Sequence, residues 1–201
     1  MALKFAVNNS LSAVTSLPTA IPTGSMTLLQ TQTASSSSTI DFTSNIDSTY
    51  DVYCFKFINI HPSTDQAIIQ FQGSTNGGSS YGVTITSTAF RARHYESDSV
   101  AQLGYRTGDD LAQSTSFQYL NSNTGSDNDE CASGYLTIYN PSNTTFVKHF
   151  ISNFNSVAST PDSSQHFIAG YFNTTSALNA FQFKMGSGTI ESGDIKLYGI
   201  S

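Results

Sequence analysis

Four histidines, two cysteines and a scatter of carboxylates are the side chains of this sequence that could make or break bonds. Nucleophilic catalysis needs a serine or cysteine beside a base that an acid orients. The candidate bases are His61, His94, His149 and His166. His61 precedes Pro62 at a turn, and the other three sit in strand-like alternation. No serine stands in a G-x-S-x-G elbow. Cys54 lies inside the apolar run YDVYCFKFINI, which opposes a reactive thiolate. Glycoside hydrolysis needs two carboxyl groups roughly 5–9.5 Å apart across a cleft. Asp51, Glu96, Asp98, Asp109, Asp110, Asp127, Asp129, Glu130, Glu191 and Asp194 are available, mostly in turns, and no two share a strand face beside aromatic residues. Tryptophan, the usual stacking platform for sugar rings, is missing. The expectation is a non-enzymatic protein with no catalytic residues and no cofactor.

Other constellations lead to equally plain expectations. The run Ser126-Asp127-Asn128-Asp129-Glu130 offers oxygen ligands of the kind Ca²⁺ takes, but it lacks the spacing of a calcium loop, so a solvated turn and no metal site are expected. Arg91 and Arg93 share one strand face, read as a solvated sheet surface ahead of a contact with an acidic neighbour. Gly73, Gly77 and Gly78 mark a hairpin loop with no phosphate-binding motif around it. Cys54 and Cys131 are too few for a disulfide scaffold. Cys54 reads as a buried free thiol, with a bridge to Cys131 left open should their strands pair.

Composition narrows the class further. The chain has 201 residues, 8 Lys and Arg against 14 Asp and Glu, a net charge of −6 and a pI near 4.9. Nucleic-acid binding needs clustered cations, so no nucleic-acid partner is expected. Charged residues make up only 11% of the chain, against about 25% in ordinary soluble domains. Hydroxyls and amides must do the solvating, as on many extracellular and virion β-proteins. No run approaches the length of about 18 apolar residues that would cross a membrane, and MALKFAVNNSLSAVTS has no continuous apolar core for export. No membrane association is expected.

The elements that must position these side chains are strands. Residues 1–38 contain LPTAIPTGS and the polar run TQTASSSST, which read as an extended N-terminal arm whose removal would leave a folded domain. From 39 to 201 the period is two, predicting a single antiparallel β-sandwich of about nine strands. YDVYCFKFINI is apolar on both faces, which predicts a central strand covered on each side. In AFRARHY, Phe90, Ala92 and His94 oppose Arg91, Arg93 and Tyr95. Pro62 and Pro141, each followed by serine, predict strand-ending turns. Residues 96–133 read as a long exposed loop with room for a short helix near 99–103 or 110–114. Fourteen Phe and ten Tyr supply the core.

Several stretches carry a resemblance. TYDVYCFKFINIHPSTD, GYLTIYNPSNTTFVKHFI, YFNTTSALNAFQFK and the terminal GTIESGDIKLYGI resemble virion structural proteins of tailed bacteriophages, especially marine and cyanobacterial ones. The resemblance covers nearly the whole chain, including the lead-in LSAVTSLPTAIPTGS. It implies a jelly-roll-like unit in a head decoration, tail fibre or baseplate, located in the virion. Its partners would be other virion proteins and copies of itself. No catalytic, cofactor or metal residue comes with it. The alternative it leaves open is a host-surface glycan-binding module, using residues such as Tyr105 and Tyr119.

Overall fold

Alternation at period two is realised almost everywhere that the chain shows it. A computed structural model describes residues 26–201, and among the described residues it has twelve strands and no helix. Eight form one sheet in the order β1 (Thr27–Thr33), β12 (Ile190–Ile200), β3 (Val52–Pro62), β8 (Ala132–Tyr139), β9 (Lys148–Val157), β10 (Asp162–Phe172), β5 (Ile85–Tyr95) and β6 (Ala101–Tyr105). The other four are β2 (Ile40–Phe42), β11 (Ala180–Met185), β4 (Ile69–Ser74) and β7 (Gln118–Tyr119), in that order. Every neighbouring pair is antiparallel. The protein is an all-β antiparallel sandwich.

The layers meet through phenylalanine. On β9, Phe150 and Phe154 point inward while His149, Ile151 and Asn155 point out. Phe183 of β11 sits at the centre of the interior. Its ring centroid lies 5.0 Å from Phe55 and 5.1 Å from Phe57 on the large sheet, and 5.9 Å from Phe42 and 6.4 Å from Phe71 on the small one. Three of these contacts are edge-to-face, the arrangement the ring quadrupole favours.

Paired irregularities bend β3 against β12. Asn59 has φ 50° and Gly193 φ +116°, and a Cβ on Gly193 would lie 2.5 Å from the Asn59 carbonyl oxygen. Only glycine fits there. Ile58 points outward in phase with Lys56, and the extra residue, Asn59, shifts the phase so that Ile60 returns to the core.

Four expectations need correction. Residues 27–33 of the expected arm are β1, paired with β12 through main-chain bonds that a polar edge strand forms as readily as an apolar one. Residues 1–25 of that arm lie outside the described residues. The helix expected near 99–103 is instead β6, and 110–114 is irregular. The 96–133 loop is not simply exposed, because Asp109, Gln118, Leu120, Asn121, Thr124 and Glu130 are buried in it. Side chains there replace ladder partners: Asn121 Oδ1 accepts from the Ile69 N–H, and Gln118 Nε2 donates to the Asp109 carbonyl. β3 is central as expected but covered on one side only, since Lys56 and Ile58 are exposed. Both expected strand ends form: the Asn143 N–H donates to the Asn140 carbonyl in the Pro141 turn, and β3 ends at Pro62.

Phe183→Ala is expected to cost roughly 3–5 kcal/mol of unfolding free energy. Phe146→Ala, at a side chain 70% exposed, should change it by less than about 0.5 kcal/mol. Urea denaturation of both variants checks the pair, and equal losses would displace Phe183 from the centre of the core.

Candidate functional site: the outer face of the eight-stranded sheet

The histidines end up in four different settings. His61 bridges Glu191 Oε2 at 2.9 Å and the Asp127 carbonyl at 3.1 Å, and His94 meets Asp98 at 2.9 Å beside the β5–β6 turn. His149 faces outward, its ring 6.0 Å from that of Tyr171. His166 faces inward on β10 and is buried.

Around His166 the fold assembles a group that sequence reasoning missed. Its Nε2 lies 2.7 Å from Ser122 Oγ and accepts from the Ser122 N–H at 3.1 Å. Ser122 Oγ is also 2.5 Å from Asp109 Oδ2, which accepts from Arg106 Nε at 3.1 Å. The Ser122 hydroxyl proton is directed to Asp109 Oδ2, the shorter of its two contacts. A serine activated as a nucleophile needs the reverse: its proton toward imidazole, and the carboxylate behind Nδ1. Nδ1 here has no hydrogen-bond partner. Burial, with Arg91 nearby, pushes the His166 pKa down to about 3. The group holds the 122–124 segment against β10.

Arg91 and Arg93 also turn inward, which corrects the expected solvated face. Ile85, Ser87 and Ala89 fix the inward phase of β5, and Arg91 pairs across the ladder with His166. Asp162, passed over in the sequence, lies on the same inward face, its pKa raised by burial against the pull of Arg91 and Arg93. The remaining acids scatter. Glu130 is buried and accepts from the Asp127 N–H at 2.8 Å, Asp194 accepts from Thr33 Oγ1 at 2.6 Å, and Asp110 accepts from the Tyr105 hydroxyl at 2.5 Å. Among the described residues no three or more His, Cys, Asp or Glu side chains are grouped to hold a metal ion. Cys54 and Cys131 are free thiols. Cys54 stands opposite Thr137, while Ala132, next to Cys131, stands opposite Ile60 at the far end of the same ladder.

The opposite phase of β5 has a consequence on the other side of the sheet. Among the described residues ten large hydrophobic side chains are exposed, and eight of them, Leu28, Ile58, Phe90, Leu103, Tyr105, Tyr135, Tyr139 and Ile151, fall on the outward phase of this one sheet. Scattered single exposures are normal, whereas a concentration on one face marks an interaction surface. Register aligns Tyr135, Asn153, Phe167, Phe90 and Tyr105 in one row across five strands. Phe90 and Phe167 stack at 4.8 Å. Tyr119, the other aromatic residue singled out from the sequence, lies on β7 in the smaller sheet.

Two adjoining depressions, about 450 and 220 Å³, open on this face and share Thr88, Ile151 and Ala169. Small side chains floor them, His149 and Tyr171 close one end, and Phe90, Tyr135 and Phe167 the other. The lining contains no Asp, Glu, Lys or Arg. No family model, curated protein or solved structure matches this chain.

His166 generates a test of the interior. Its folded pKa lies below the unfolded value of about 6.5. Between those values the unfolded chain binds the extra proton, so stability is complete above pH 6.5 and falls as the pH drops toward 3. The expected slope from this residue is about 1 kcal/mol per pH unit. His166→Gln, neutral throughout, should flatten that part of the urea-midpoint profile relative to the parent. Parallel profiles would mean that His166 titrates normally.

Proposed function

We propose that this chain is a non-enzymatic structural protein of a bacteriophage particle, a head decoration or a tail fibre or baseplate component, that works by contact. The observation that carries the reading is the uncovered outer face of the large sheet, where eight of the ten large hydrophobic side chains exposed among the described residues gather. β3, expected to be covered on both sides, leaves its outward phase open. The resemblance of the quoted stretches to tailed-phage virion proteins supports the same reading, together with a jelly-roll-like arrangement. Under it, residues 1–25 and the sandwich surfaces are the parts that engage neighbouring virion subunits or further copies of the chain.

A second reading, a host-surface glycan-binding module, has its own specific support. The open face is aromatic and amide-rich, with Tyr135 and Phe167 flanking Asn153, and Tyr105 extends the same row.

Mass spectrometry of purified particles, with heads and tails separated, should find the chain in one of the two fractions. Absence from both would overturn the particle reading.

A further inference from the structure

The trough across β9, β10 and β5 has a chemistry that selects its occupant. Its floor is Ala169 with Thr88 and Ile151 beside it. Aromatic residues stand at both ends, Tyr171 at one and Phe167 with Tyr135 at the other, and Tyr171 and Phe167 are about 13 Å apart along the strand. Next to it, Gln165 Nε2 donates to Asn153 Oδ1 at 3.1 Å. That bond leaves the Asn153 amide N–H₂ as a donor and the Gln165 carbonyl as an acceptor, neither with another partner among the described residues. A neighbouring donor and acceptor match a pair of sugar hydroxyls, each of which both gives and takes a hydrogen bond. Ring faces at 42% exposure for Tyr135 and 44% for Phe90 suit the C–H faces of a pyranose.

Charge decides between ligand classes. The lining has no ionisable acid or strong base, and the whole chain carries −6. A phosphate or an acidic sugar would find no counter-charge and would be repelled by the net field. A second copy of the chain in a two-fold contact would bring this same patch against itself, so it would have to offer a convex counterpart. This trough is concave, and hydroxyls and amides interrupt its apolar lining.

We propose that the trough binds a neutral oligosaccharide, which lies over Ala169, stacks on Tyr135 and Phe90, and is held beyond Phe167 by the Asn153–Gln165 amide pair. This rests on the contact face described above and names the chemical class of its partner.

The full chain would be titrated calorimetrically with neutral gluco-, galacto-, manno- and xylo-oligosaccharides, and with oligogalacturonate as the charged comparison. At least one neutral series should bind with a Kd of about 1 mM or tighter, unaffected by added salt, while oligogalacturonate should not bind. Tyr135→Ala and Asn153→Ala should each weaken binding about tenfold. Ala169→Arg, a long side chain added at an exposed floor position, should abolish it with an unchanged circular-dichroism spectrum. Leu103→Ala, on the same face but outside the trough, should leave the Kd within about twofold.

Failure of every neutral series to bind overturns the proposal. So does binding that survives Ala169→Arg, or a dimer in sedimentation that Ala169→Arg dissolves. A chain found in particles that binds no saccharide keeps the particle reading and removes this one. A chain that binds but is missing from particles does the opposite.

Discussion

Phe183 enters the interior between Phe55 and Phe57 of one sheet and Phe42 and Phe71 of the other, and this five-ring contact sets the spacing of the two layers. Sheets pack about 10 Å apart only when the side chains between them interdigitate. Phe150, Phe172 and Phe181 carry the same ring-to-ring contact toward β9 and β10. The inward phase of those strands is thereby fixed. In a strand, fixing one phase fixes the other, so His149, Ile151, Asn153 and Phe167 face outward because Phe150, Phe154 and Ile168 face in. The outer face is a by-product of the core's register, and its geometry is as rigid as that core.

Aromatic packing does not extend along the whole interior. At one end of β9 and β10, Lys148 is fully buried and donates from Nζ to the carbonyls of Phe146 and Thr174, with burial holding its pKa down. At the other end lie Asp162, Ser164, His166 and Arg91, roofed by the 106–131 segment. Among the described residues, three of the six buried polar atoms without a hydrogen-bond partner belong to residues here: Asn123 Oδ1, Asp162 Oδ1 and His166 Nδ1. Each such atom costs on the order of 1–3 kcal/mol. A hydrophobic interior bounded by two polar ends is less stable than an apolar one of equal size, but it admits one register alone.

Most of the architecture was legible because period two is a local signal. Nearly every strand of 39–201 announces itself by alternation, and Phe55, Phe57, Phe150 and Phe183 were readable as core. What failed were decisions about phase and partner, which are not local. AFRARHY alternates cleanly, yet nothing in it says that the arginine side goes inward. That follows from Ile85, Ser87 and Ala89 upstream and from Asp109 and Asp162 elsewhere in the chain. β1 escaped because TLLQTQT looks polar, and an edge strand needs only a ladder to join. Ser122, His166 and Asp109 are far apart in sequence, and only folding shows them to be neighbours. The open face was not foreseen: both faces of YDVYCFKFINI read as covered, and only the assembled sheet leaves the outward one open.

A charge-poor contact face behaves differently from a charged one. Without fixed charges there is no long-range field to steer a partner, and binding arises from fit, stacking and hydrogen bonds that act only at contact. Such a site is weak singly, because hydroxyl and amide groups exchange water bonds for ligand bonds at little net gain. On a particle carrying many copies, weakness is no defect: once one copy holds, the next meets its ligand at a high effective concentration, and overall affinity rises by factors of about 10²–10⁴ with no new contact. A strong single site would gain little from repetition and would release slowly. Under the proposed particle role, the low charge of the chain and the shallow face on its large sheet would suit many weak, salt-insensitive contacts made by many copies at once.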